Sequence, residues 1–146
     1  MQYYLTDNKI LNVLDFDWYI DRIDAVYLHH SEIGAKSEYA IFIQQDSEID
    51  ELYFRTRDEM IIAREYKKLC NAIKEINPKF DNSVQPFVLI NYTNLVCVEA
   101  GKNKRFLEYI ISLKFKNSHL NLNGNQKEYN RILEKLNNEN KTNITG

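Results

Sequence analysis

Asp15, Asp17 and Asp21 stand in the run Asp15-Phe-Asp-Trp-Tyr-Ile-Asp21. On a strand, residues two apart lie about 6.6 Å apart on one face. Asp15 and Asp17 could therefore share a divalent cation or work as an acid–base pair. The same alternation also describes a solvated outer face, with Phe16, Trp18 and Ile20 turned to a core. The solvated face is the better reading, because no cluster of Lys, Arg and Gly stands nearby to complete a phosphate site.

His29 and His30 are neighbours, and neighbours on a strand point to opposite faces. Together with Cys70, Cys97 and His119 they fall at no C-x₂-C or H-x₃-H spacing, so no metal centre and no cofactor is expected. The chain has no G-x-S-x-G, no Walker loop, no G-x-G-x-x-G and no Cys–His pair at a recognisable spacing. With 4 glycines in all, a phosphate cradle would be hard to build. No residue is assigned a catalytic role, and the expectation is a protein that is not an enzyme.

Charge suggests recognition instead. Residues 1–65 hold 14 carboxylates against 6 basic side chains, and residues 66–146 hold 7 against 13. In the acidic part, Asp15, Asp17, Asp21, Glu38 and Asp46 share the outward phase, and Glu48, Asp50 and Glu51 adjoin them. A rigid sheet with spaced carboxylates suits a basic groove on a protein partner, gaining on-rate and register from complementary potentials. Asp15, Asp17, Asp21, Glu48, Asp50 and Glu51 are the expected protein contacts. A surface of this kind fits an inhibitor or adaptor of a nucleic-acid-handling machine.

In the basic part, Lys102, Lys104, Arg105, Lys114 and Lys116 gather around one loop and one strand, and Phe106 and Ile110 share the outward phase of Lys114 and Lys116. Cations interleaved with an aromatic could form a stacking platform for single-stranded nucleic acid. Lys102, Lys104 and Arg105 could instead hold an anionic headgroup. An acidic and a basic part could also meet head to tail in a homodimer.

The elements that carry these residues show a repeat. Shifted by 70 positions without a gap, residues 18–46 lie on 88–116 with 5 of 29 identical, among them Ile20 on Ile90, Tyr39 on Tyr109 and Ile41 on Ile111. Each copy runs into a short strand and then a helix bearing Glu-Tyr-x-x-aliphatic, at Glu65 and at Glu128. Ile62, Tyr66, Leu69, Ile73 and Ile76 make one helical stripe, opened by a capping box from Thr56 to Glu59 and closed by Asn77–Pro78. Tyr129, Ile132, Leu133 and Leu136 make the second stripe.

The expected fold is α+β: a tandem pseudo-repeat of a four-strand antiparallel unit closed by one helix (ββββα twice), with two long helices packed on sheet. Residues 1–16 form a hairpin or short helix, 17–77 the first repeat, 78–86 a connector, 87–137 the second repeat and 138–146 a disordered tail. In topology the doubled unit resembles the PUR and Whirly folds, which bind single-stranded nucleic acid; no residue motif carries that likeness. The strand-rich body with a closing helix also resembles PH-like domains, which implies a ligand or headgroup site.

A hydrophobic content of 44% and a charged content of 27% are ordinary for a globular chain of 146 residues. No apolar run reaches the roughly 18 residues of a membrane span. The N-terminus lacks a basic n-region, so no signal peptide is expected. Two cysteines are too few for a disulfide framework, and a cytoplasmic location is expected.

Overall fold

The structure, a computed structural model, describes the backbone of residues 4–5, 10–13, 16–45, 50–103 and 108–145, and the side chains of 18–45, 50–102 and 108–139. Strands β1 (Tyr4–Leu5) and β2 (Ile10–Val13) pair antiparallel, so the N-terminal segment takes the hairpin alternative. β3 (Phe16–Tyr19) adds antiparallel to β2 and completes a small three-stranded sheet.

The expected strand through Asp21 stops at Tyr19, and Ile20–Arg22 is a 3₁₀ turn. Two amides from elsewhere hold this turn: Asn94 Nδ2 donates to the Asp21 carbonyl at 2.9 Å, and Asn77 Nδ2 donates to Asp21 Oδ1 at 3.0 Å. The turn keeps Ile20 fully buried.

β4 (Ile23–Ile33) and β5 (Lys36–Gln45) form a long hairpin. The loop expected at 31–37 shrinks to Gly34 and Ala35, because Gly34 adopts a φ of 64° that lets the strands reverse in two residues. β6 (Asp50–Thr56) pairs with β5, and α1 (Glu59–Ile76) follows. The cap on α1 is Asp58, whose Oδ1 accepts from the Met60 and Ile61 N–H groups at 2.9 and 3.1 Å. Thr56, the expected cap, is one layer further out and accepts from the Asp58 N–H. An ionised carboxylate is the stronger acceptor and complements the helix dipole.

The expected connector contains β7 (Phe80–Asp81), which pairs with β8 (Val88–Asn91). β9 (Leu95–Asn103), β10 (Glu108–Phe115) and β11 (His119–Asn123) form a second three-stranded sheet, so the loop expected from Ala100 is strand as far as Asn103. α2 (Gln126–Thr145) starts where Asn125 Oδ1 accepts from the Glu128 N–H at 2.8 Å. Helix also occupies residues 138–145 of the stretch expected to be a disordered tail. Adding residues to an existing helix costs little, and Glu139 is anchored by Lys79 at 2.9 Å.

The chain is thus α+β, with two helices and antiparallel sheets. The sheets are not two equal four-stranded units. β8 joins the first sheet, giving the order β6-β5-β4-β8-β7 against β11-β10-β9. Its sequence explains this. Val88, Leu89 and Ile90 are apolar on both faces and all buried, so β8 must be covered on both sides. Leu89 enters the core under α1 with Val26, Ile41, Ile43, Ile62, Leu69 and Ile73. Val88 and Ile90 face the other way, into the core of Ile111, Leu113, Ile132 and Leu136.

The 70-residue match holds in β5 and β10 and slips beside them. Ile41 and Ile111 are fully buried, as are Ile43 and Leu113. Ile43 lies opposite Val26, whereas Leu113 lies opposite Val98, two places from the expected Val96. Val96 is consequently 55% exposed where Val26 is buried. Ile20 sits in the 3₁₀ turn while Ile90 sits in β8, so that pair occupies different settings.

Candidate protein-docking site

Of the acidic residues, Asp21, Asp50 and Glu51 are described with their side chains. Asp15 and Glu48 lie outside the described residues, and Asp17 is placed by its backbone alone, in β3 opposite Asn12. Asp21 is exposed in the 3₁₀ turn and accepts from Asn77. Asp50 and Glu51 open β6 and are engaged internally: Asp50 accepts from the Tyr27 hydroxyl, and Glu51 Oε2 accepts from Trp18 Nε1 at 2.7 Å. Burial first, and then the Asp50 carboxylate, push the Tyr27 hydroxyl well above its ordinary range.

Of the basic set, Lys102, Lys114 and Lys116 are described. Lys104, Arg105 and Phe106 lie outside the described residues. Lys102 stands opposite Tyr109, on the same face of the sheet as Ile111 and Leu113. Lys114 lies on the other face, five residues along β10 or about 17 Å away, and pairs with Glu99 at 3.1 Å. Ile110 shares that face in the expected phase, and Lys116 is exposed just past the end of β10. Lys102 and Lys114 therefore do not form one patch.

Of the groups weighed for metal binding, His29 and His30 do face opposite ways. His29 lies edge-on to Phe42 and His30 stacks on Tyr39 at 4.5 Å. Cys70 is on the buried face of α1, where burial chiefly pushes its thiol up to about 12, and the neighbouring Tyr66 bond and Lys74 offset part of this. Among the described residues no group of three His, Cys, Asp or Glu could hold a metal ion. Among them, too, no helix is long and apolar enough to cross a membrane.

What the structure does bring together is a pocket at the far end of the β4–β5 hairpin. Leu28 and His30 from β4, Tyr39 from β5, Glu59, Ile62 and Ala63 from the first turns of α1, and Phe87 ahead of β8 enclose about 400 Å³. Alternation puts Leu28, His30 and Tyr39 on the helix side of the sheet, because Leu28 pairs with the buried Ile41 and His30 pairs with Tyr39. The hairpin is longer than α1 covers, so among the described residues this end stays open. Phe87, 62% exposed, stands at the rim. Most of these residues read in the sequence as ordinary inward positions. The hint that was available is Phe87, a large aromatic next to Pro86 outside any amphipathic stripe.

A second constellation ties the halves together. Ser118 Oγ donates to Asp24 Oδ2 at 2.6 Å and accepts from Gln44 Nε2 at 2.7 Å, while Asn94 Nδ2 donates to Asp24 Oδ1 at 3.2 Å. Asn91 Nδ2 adds a bond to the Ile23 carbonyl at 2.9 Å. Asp24, Gln44, Asn91 and Ser118 are all buried, so these bonds engage groups that water does not reach; Gln44 Oε1 alone of this set finds no partner among the described residues. A polar hollow between Asp81, Tyr92, Lys135 and Glu139 lies on the far side of β8, with ion pairs Lys135–Asp81 at 3.5 Å and Lys79–Glu139 at 2.9 Å. Compared with family models, curated proteins and solved structures, the chain matches none.

Proposed function

We propose that this is a non-catalytic binding protein that offers its acidic first half to a basic protein partner, as an inhibitor or adaptor of a nucleic-acid-handling machine would. The observation that carries the reading is that the charge asymmetry follows the division of the core. Residues 17–77, which build the core under α1, hold 13 carboxylates against 8 basic side chains; residues 87–137, which build most of the other, hold 4 against 8. The asymmetry is milder than a cut at residue 65 implies, because Lys67, Lys68 and Lys74 belong to α1. It is nonetheless spatial, and Asp21, Glu32, Asp58 and Glu59 stand exposed on the acidic side.

We infer as well that the two sets descend from one strand–strand–strand–strand–helix unit. Asp24 and Asn94, 70 positions apart, touch each other, as matched residues do on a twofold axis.

The test is affinity capture with the wild type and with the triple variant Asp15→Lys, Asp17→Lys, Asp21→Lys, with Asp21→Asn as the milder control for the turn. Loss of the same partner in the triple variant, with wild-type circular dichroism and a wild-type interaction that weakens as salt rises, supports the reading. Unchanged capture overturns it. Retention of a single-stranded oligonucleotide on a filter at low salt would move the activity to the basic half.

A further inference from the structure

The β4–β5 hairpin outruns its neighbour. β8 follows β4 from Ala25 to Tyr27, with a last bond from the Leu28 N–H to the Phe87 carbonyl at 3.0 Å. Before Phe87 the chain turns away. The Val88 N–H donates to the Gln85 carbonyl at 3.1 Å, and Gln85 Nε2 donates to the Asn123 carbonyl at 2.9 Å, in the other half. β4 itself continues to Ile33. Peptide groups alternate sides along an antiparallel strand. Since Leu28 faces β8, the N–H and C=O of His30 and Glu32 face the same way, and among the described residues no strand lies there. An edge of this kind is a template for one more strand.

The pocket opens beside that edge. A strand added in line with β8 would run antiparallel to β4, and the side chain opposite His30 would sit on the helix side, at the pocket mouth between His30 and Phe87. The space of about 400 Å³ takes one large apolar or aromatic side chain against Leu28, Ile62 and Phe87. Charge selects the neighbour. Glu59 lines the pocket, and Glu32, with its side chain 70% exposed, follows His30 by two places on the same face. In an antiparallel strand the residue opposite Glu32 comes two before the one opposite His30, and a lysine or arginine there would meet a carboxylate.

We propose that the open edge of β4 and the pocket beneath the first turn of α1 bind an extended segment of a partner protein by strand addition, reading the pattern basic–any–large apolar. The proposal rests on the reading of this chain as a protein binder and names the surface and the peptide chemistry. Main-chain bonds at His30 and Glu32 supply register, the pocket selects the apolar residue, and Glu32 with Glu59 selects the cation.

The experiment pans a displayed library of random heptapeptides against the full chain, with Ala63→Trp as the counter-target. Ala63 is exposed, so tryptophan there fills the pocket from its helical wall without disturbing the core. Peptides with Lys or Arg two places before Phe, Trp, Leu or Ile should be enriched. A synthetic copy should perturb the amide signals of His30 and Glu32, and bind at least about tenfold more weakly to Ala63→Trp and to Glu59→Lys. N-methylation of the apolar residue should abolish binding, and N-methylation of the next residue should not, because only the former faces β4.

No enrichment over the counter-target overturns the proposal, as does an enriched peptide indifferent to the position of N-methylation. A partner captured equally by the wild type and Ala63→Trp, yet lost by the triple Asp→Lys variant, sinks this inference and leaves the acidic-half reading standing.

Discussion

β4 and β9 hold matching places, β4 paired with β5 and β9 with β10, and their fates differ. β4 has neighbours on both sides at its base, and Ile23, Ala25 and Val26 are fully buried there. β9 ends its sheet, and Val96 stands exposed. Strand propensity does not separate them, since Val is favoured in both places. The neighbour does. β8 lies against β4 and makes that part of the first sheet two-faced, with Leu89 in one core and Val88 and Ile90 in the other. The difference teaches that the halves are unequal partners. The second lends a strand, and the first completes its core with it.

Three experiments bear on this asymmetry. The strongest should be Leu89→Ala. Leu89 is fully buried among residues of the first half. Its truncation should cost about 2–5 kcal/mol, read as a fall in the urea midpoint. Trp18, the single tryptophan, reports the first core. Its fluorescence and the far-ultraviolet circular dichroism should shift together, in one transition. Two separate transitions would mean that the halves fold independently and that the loan of β8 is incidental.

Ser118→Ala should come next. It removes the hydroxyl between Asp24 and Gln44, taking one buried bond from each and leaving Asp24 with Asn94 and Gln44 Nε2 with the His119 carbonyl, at a cost of about 1–3 kcal/mol. If the polar node joins the halves, the loss should again appear in the Trp18 signal, although Ser118 belongs to the second sheet's hairpin. A variant as stable as the wild type would show that the node is not a joint.

The smallest effect should be the acid response of the tie between β7 and α2. Burial by itself would raise the Asp81 carboxyl, but hydrogen bonds from Ser83 and the Lys135 ammonium outweigh it and hold the group below its usual range. A depressed folded-state pKa stabilises the fold above the unfolded carboxylate value of about 3.9. That contribution disappears as pH falls through the folded value. The urea midpoints of the wild type and Asp81→Asn should therefore differ at neutral pH and converge in acid. A constant difference would remove Asp81 from the account.

The sequence made some of this legible and hid the rest for physical reasons. The helical stripes read correctly because periodicity is local, and Tyr66, Leu69 and Ile73 are buried as their spacing requires. Tyr39, Ile41 and Ile43 read correctly because alternation is local too. The pairing of β8 with β4 is a choice between distant edges, which no pattern within Val88–Asn91 encodes. The run of three apolar residues there announced burial on both faces but not the partner. β7 was missed because two residues show no period, although Phe80, a lone aromatic among polar neighbours, was its trace. The cap moved from Thr56 to Asp58 because two acceptors competed and spacing does not rank their strength. The docking pocket was least visible of all, since Leu28, Tyr39 and Ile62 each fit an ordinary inward pattern and meet Phe87 only through the fold.

The late arrival of β8 has a consequence for synthesis. A chain leaves the ribosome from its N-terminus, and stretches that can fold alone usually do so in that order. Here residues 17–77 emerge without Leu89, so their hydrophobic interior waits for a segment still being translated, and the base of β4 lies bare meanwhile. During that interval the nascent chain is exposed to capture by a neighbouring polysome or by a chaperone. Slow codons placed after Asn77 would lengthen the risk, and fast ones would shorten it.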